Sequence, residues 1–235
     1  PASNNNTTFF ARKEVPPGWT LSSHLRGRTS LVVRLGTSMF GITLDRSTLE
    51  SMLPGEQLYD DVINSYMPLL GSDMNPSRQN CIFLPSTFYT MHTGASTHVE
   101  VREFIEDKNP YGEDTMGPVK IFIPINHRNS HWTLIVVDVK EKEVLSFDSF
   151  NARREDTLRT VLEWVEQEHL YRNVEFNDWK FRGVAAPEQQ NGVDCGIFTC
   201  MFAAFISNNK PLTFDQEDVT KMRARLMWSV ANARL

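Results

Sequence analysis

Hydrophobic and polar positions give the two halves of the chain different textures. Residues 1–30 are polar, carry Pro16, Pro17 and Gly18, and read as an extended N-terminal arm anchored by Phe9, Phe10 and Trp19. Short strands are predicted over 31–35 and 39–42. Asp45 and Ser47 offer caps for a short helix that ends at Pro54-Gly55. Over 57–70, Leu58, Val62, Tyr66 and Leu69 recur at helical spacing, and Pro68 is predicted to strain or shorten the last turn. Residues 71–80 and 108–118 read as loops, with helical segments over 81–92 and 98–107 between them.

Beyond residue 118 the texture changes. Residues 119–125, 131–139, 143–149 and 174–181 are rich in Val, Ile and Phe and read as strands. Between them, 154–170 turns Leu158, Val161, Leu162 and Val165 to one helical face. The segment 194–207 is apolar nearly all round, which predicts a buried helix. The last helix, 215–233, is amphipathic, with Lys221, Arg223 and Arg225 as its wet positions, and Arg153-Arg154 reads as another solvated face. No repeat interrupts the pattern. Helices before and after a central sheet predict an α+β fold: an arm over 1–30 and one domain over 31–235.

Composition narrows the function. The chain of 235 residues has 24 Lys and Arg against 29 Asp and Glu, a net charge of −5, where a nucleic-acid binder shows a basic domain or stripe. Its longest nearly apolar stretch, 195–206, is too short for a bilayer, which needs about 20 residues. The N-terminal residues show no charged-then-apolar targeting pattern. Cys81, Cys195 and Cys200 are an odd, sparse set, which predicts a reducing compartment and no disulfide framework.

The sharpest local feature is Gln189-Gln190-Asn191-Gly192-Val193-Asp194-Cys195-Gly196. Asn and Gly mark a turn, Asp194 is a natural N-cap, and Cys195 falls in the first turn of the buried helix, where free N–H groups favour an anion. That is a position for a nucleophile, whereas Cys200, inside the same helix, reads as a packing thiol. His131 opens a strand after the polar loop 126–130, where a half-exposed general base belongs. Hairpin parity supplies a third member. An even-numbered turn between the strands 131–139 and 143–149 sets Asp148 on the sheet face of His131, and an odd one sets it on the opposite face. On the shared face Asp148 orients the imidazole. Gln189, or its neighbour Gln190, is placed to donate an amide hydrogen bond to an oxyanion, together with the Cys195 backbone N–H.

His131-Trp132, Asp148-Ser149 and Gln189…Asn191-Gly192-Val193-Asp194-Cys195-Gly196 together resemble the ubiquitin-like-protein-specific cysteine proteases, the SUMO (sentrin) proteases, over roughly residues 40–230. The resemblance implies a papain-like α+β fold with a central mixed sheet flanked by helices and the chain order His-Asp-Cys. It implies cleavage after a modifier's C-terminal Gly-Gly, with His131 as base, Asp148 as its orienter, Cys195 as nucleophile and Gln189 in the oxyanion hole. It also implies that Trp132 covers a tunnel narrow enough to pass only glycine. The chain departs from the family at Gln57-Leu58-Tyr59-Asp60, where relatives carry Trp-Leu-Asn-Asp. Gln57 thus replaces a tunnel Trp, while Asp60 keeps the acid that in relatives meets a basic modifier residue. The same resemblance implies a monomer without cofactor or metal, in nucleus or cytoplasm, with a SUMO-like modifier and its conjugates as partners and neither nucleic acid nor membrane.

Four alternatives fit parts of the pattern. His127 and His131 have zinc-like spacing but no accompanying CxxC pair. A silent module that binds a ubiquitin-like protein would retain the groove and lose a member of the triad. A related Cys–His acetyltransferase would use the same pair, and a protease for ubiquitin or another ubiquitin-like modifier would share every catalytic residue.

Overall fold

The strand His131–Asp138 is buried at every position, which a strand achieves only at the centre of a sheet covered on both faces. The computed structural model describes residues 15–25, 30–33, 42–72, 78, 80–108 and 120–233. In chain order they form α1 (Leu21–Leu25), β1 (Leu31–Val33), β2 (Ile42–Leu44), α2 (Arg46–Glu50), α3 (Asp60–Ser72), β3 (Cys81–Phe83), α4 (Thr87–Thr93), α5 (His98–Lys108), β4 (Lys120–His127), β5 (His131–Asp138), β6 (Glu143–Phe147), α6 (Glu155–Tyr171), β7 (Lys180–Val184), α7 (Cys195–Ser207) and α8 (Val219–Asn232).

Five strands form the main sheet in the order β3-β4-β5-β6-β7, and β1 and β2 pair separately. The central pairs are antiparallel hairpins, while β3–β4 and β6–β7 are parallel. Each parallel pair requires a crossover: α4 and α5 lie in the first connection and α6 in the second. The sheet is therefore mixed and flanked by helices, as the sequence predicts.

Alternation along the strands fills two cores. Phe122, Trp132, Leu134, Val136 and Phe147 pack with α3, α7 and α8 on one face, while Ile121, Ile123, Ile135, Val137 and Val144 pack with α5 and α6 on the other. Of the residues in α7, all but Ile206 are buried, so the predicted buried helix is the central element of the first core.

Several predicted boundaries move. The helix predicted from residue 57 starts at Asp60, and Pro68 sits inside it without ending it. Residues 81–83 form strand β3 rather than helix, because Cys81-Ile82-Phe83 pairs in parallel with Lys120-Ile121-Phe122. The strand predicted over 174–181 lies at Lys180–Val184, where pairing with β6 is available. Within the predicted arm, α1 buries Leu21, and Trp19 packs against the first core. Phe9, Phe10 and the loop predicted over 108–118 lie outside the described residues, apart from Lys108 at the end of α5.

Candidate active site

The β5–β6 turn contains four residues, 139–142, and pairs Leu134 with Phe147 and Asp138 with Glu143. Continued past the end of β6, that register sets Asp148 beside Thr133, on the face of His131. The turn is even-numbered, and Asp148 shares the sheet face of His131. His131 Nε2 and Asp148 Oδ1 are 2.7 Å apart, and the second ring nitrogen of His131 remains for the Cys195 thiol, with which the imidazole also hydrogen-bonds. Burial would lower the His131 pKa, but hydrogen bonds and charge interactions with Asp148 and Cys195 outweigh it and push it up to about 9.

Asp148 is itself held from several sides. Burial would raise its pKa, but hydrogen bonds from His131, the Phe150 backbone N–H and Arg154 keep it below the usual carboxylate range. The Phe150 N–H reaches Oδ1 at 2.8 Å and Arg154 Nε reaches Oδ2 at 2.6 Å. Arg154 is therefore no solvated surface charge, which corrects the sequence expectation. Its partner lies six residues earlier, visible only once the chain has turned between β6 and α6.

Cys195 is the first residue of α7 and only 1% exposed. The segment Gln57-Leu58 lies over it. A side chain at Gly196 would meet Leu58 Cβ at 2.9 Å, so glycine there lets the segment pack on the first turn of the helix. Trp132 Nε1 donates to Leu58 O at 3.0 Å, and Gln57 Nε2 donates to Gly192 O at 2.9 Å. Trp132 is buried, Gln57 half-buried and Asp60 exposed at the start of α3. Gln57 thus ties the segment before α3 to the turn before α7.

The two glutamines separate clearly. Gln189 is buried, accepts from Ser149 Oγ at 2.5 Å and donates Nε2 to Asn191 O at 2.5 Å. An amide NH2 carries two hydrogens, so one remains for an oxyanion. The Gln190 side chain is exposed.

Asp194 is the N-cap residue of α7, as expected, and its carbonyl accepts from the Phe198 N–H at 3.0 Å, but its side chain makes no capping hydrogen bond. Its Oδ1 is taken by Arg223 Nη2 at 2.5 Å, and its Oδ2 by Asn191 Nδ2 at 2.6 Å and Gln216 Nε2 at 2.9 Å. Arg223, predicted to be wet, is 3% exposed and also donates to the carbonyls of Ser51 and Leu53 at 3.3 and 3.0 Å. Lys221 is exposed and Arg225 half-buried. One guanidinium therefore ties the residue before Cys195 to the chain that leads into Gln57.

The remaining titratable groups have other employment. His127 Nε2 lies 2.8 Å from Thr133 Oγ1, and burial, with Arg154 and His131 nearby, lowers its pKa to about 4. Burial pushes the Cys81 thiol up to about 11 and the Cys200 thiol higher still. Among the described residues no cluster of three or more His, Cys, Asp or Glu is placed to hold a metal ion.

A mixed sheet packed on a buried helix that begins with cysteine, with His131 between Cys195 and Asp148, defines a cysteine-protease catalytic domain. The chain belongs to the Ulp1 protease family, matching its C-terminal catalytic domain over residues 56–233. It is 28% identical to human Sentrin-specific protease 2 over 205 residues, covering 85% of this chain and 34% of that protein. It is 32% identical to Arabidopsis thaliana Ubiquitin-like-specific protease 1A over 194 residues, covering 78% and 38% of the two chains. The chain thus spans about a third of the length of these relatives. Among solved structures, the yeast Ulp1 protease domain in complex with Smt3, the yeast ortholog of SUMO, superposes with a TM-score of 0.73 at 24% identity, covering 90% of this chain and 91% of that one. The Ulp1 structure whose catalytic cysteine is a sulfenic acid gives the same TM-score at 25% identity, covering 90% and 92%.

Proposed function

We propose that this chain is a thiol isopeptidase and endopeptidase that cleaves after the C-terminal Gly-Gly of a SUMO-like modifier, from precursors or from lysine conjugates. The observation that carries this reading is the His131 imidazole hydrogen-bonded to Asp148 on one side and to Cys195 on the other. Family membership and the likeness to a SUMO-bound protease domain support the choice of modifier.

Each step uses a named group. His131 holds the proton given up by Cys195 as an imidazolium, and the thiolate attacks the carbonyl carbon of the terminal glycine. The oxygen gains the negative charge and receives hydrogen bonds from Gln189 Nε2 and the Cys195 backbone N–H. His131 returns its proton to the departing amine as the carbon–nitrogen bond breaks, leaving a thioester. A water molecule deprotonated by His131 then attacks that thioester and releases the modifier's carboxylate and the thiol. Asp148 stabilises the imidazolium throughout. Because Cys195 is 1% exposed beneath Leu58 and beside Trp132, a tail without side chains suits the approach. No step needs a cofactor.

Asp60 is read as a contact to a basic residue of the modifier, and Gln57 as part of the cleft wall. The protein acts as a monomer without nucleic acid. Three sparse cysteines, all buried, suit a reducing compartment, here the nucleus or cytoplasm, and no described helix is long and apolar enough to cross a membrane.

The test is cleavage of SUMO and ubiquitin precursors and lysine conjugates. The wild type releases mature SUMO and Cys195→Ala does not. Release of ubiquitin alone would overturn the choice of modifier, and undiminished cleavage by Cys195→Ala would overturn the mechanism.

A further inference from the structure

Phe150 stacks on the ring of His131, with centroids 4.8 Å apart and planes inclined by 21°, yet it is 51% exposed. The position of Phe150, half-exposed beside the imidazole, is firmly imposed. Its own N–H donates to Asp148 Oδ1. Asn151, in the left-handed region with φ of 50°, bonds back from its N–H to Asp148 O at 2.8 Å. The Asn151 side chain is fastened to both backbone groups of Ala186 and to Glu188. On the other side of the ring β4 pairs His127 with His131, their ring centroids 6.3 Å apart. The imidazole is thus the middle ring of a cross-strand row, and Phe150 is the flank that faces solvent.

The two partners of the scissile bond approach from different sides. The family resemblance assigns Trp132, with Leu58 and Gln57, to the acyl side, whereas His131, on the opposite face of β5 from Trp132, carries Phe150 stacked on its ring. The departing amine must come within hydrogen-bond reach of His131 to take its proton, and this brings whatever carries that amine against the open half of Phe150. Resting on the proposed isopeptidase reading, we propose that Phe150 is a leaving-group contact that favours a lysine side chain over a peptide backbone. A lysine presents its amine on four methylenes that can lie along an aromatic surface. A linear precursor presents a secondary amide flanked by polar backbone, which gains less there.

The experiment compares two substrates built on one modifier: a conjugate to the side-chain amine of a lysine peptide, and a linear precursor with residues beyond Gly-Gly. In the wild type, turnover of either establishes the underlying protease reading, and turnover of neither overturns that reading together with this inference. With turnover established, Phe150→Ala lowers the ratio of kcat/KM for the conjugate over that for the precursor by about tenfold, chiefly through KM, as expected for the loss of an apolar subsite contact. Phe150→Leu restores most of that ratio, which separates contact from folding. A ratio unchanged in both variants would overturn the inference, whether or not overall activity fell, because a purely structural role for the ring affects both substrates alike.

Discussion

Asp194 and Arg223 form a buried ion pair, Oδ1 to Nη2 at 2.5 Å, directly before Cys195. Arg223 comes from α8, and its guanidinium also bridges to the carbonyls of Ser51 and Leu53. Removing the cation leaves a carboxylate with only amide partners in a site closed to water. Arg223→Met is therefore expected to cost about 3–5 kcal/mol in denaturant unfolding. Arg223→Lys fails to restore it, since a single ammonium cannot reproduce the planar fork. A cost below about 1 kcal/mol for Arg223→Met would contradict this placement.

The His131 pKa is a direct readout of the site. It stands at about 9 because Asp148 and Cys195 favour the charged ring over the penalty of burial. In NMR titrations of the ring protons, Asp148→Asn is expected to move that value down. By linkage, a pKa raised from 6.5 gives stability that is fully present below pH 6.5 and is lost as pH rises through about 9. The unfolding free-energy difference between wild type and His131→Gln should shrink across that window, and a flat difference would refute the ion pair.

Gln189 and Gln190 should behave very differently. Gln189→Ala is expected to lower kcat about a hundredfold or more with little change in KM, as for loss of one oxyanion donor. Gln190→Ala stays close to wild type, because its side chain points to solvent. Reversed effects would mean that the wrong amide had been placed in the oxyanion hole.

Gln57 should act on binding. Its hydrogen bond to Gly192 O spans the cleft, and one such bond contributes about 0.5–1.5 kcal/mol. Gln57→Ala is expected to raise KM for modifier cleavage a few-fold with kcat nearly unchanged. A loss confined to kcat would show that the bond positions the nucleophile instead.

What the sequence revealed follows the range of the interactions. The His131–Asp148 pairing is only half legible in the sequence, because it depends on the parity of one turn, which the pairing of Asp138 with Glu143 sets at four residues. The buried α7 was legible because an all-apolar helix has nowhere else to go. Cys81-Ile82-Phe83 was misread as helix because a short apolar run has no decisive period, and only pairing with β4 makes it a strand. Arg154 and Arg223 read as wet from sequence because their carboxylates come from other segments, and the Arg223 ion pair draws the Asp194 side chain away from the helix N–H groups while the residue keeps its N-cap position. Phe150 carried no local signal, since its contact with His131 needs the sheet register and the turn at Asn151 together.

The central claim is that the Cys195 thiol attacks the carbonyl at a modifier's C-terminal glycine. Its most direct test is a SUMO-like modifier carrying an electrophile in place of the scissile bond, with the adduct mapped by mass spectrometry. The account predicts one adduct, on Cys195, that is lost in Cys195→Ala and retained in Cys200→Ala, because burial holds the Cys200 thiol protonated. An adduct on Cys81 or Cys200, or none from any modifier bearing Gly-Gly, would contradict it.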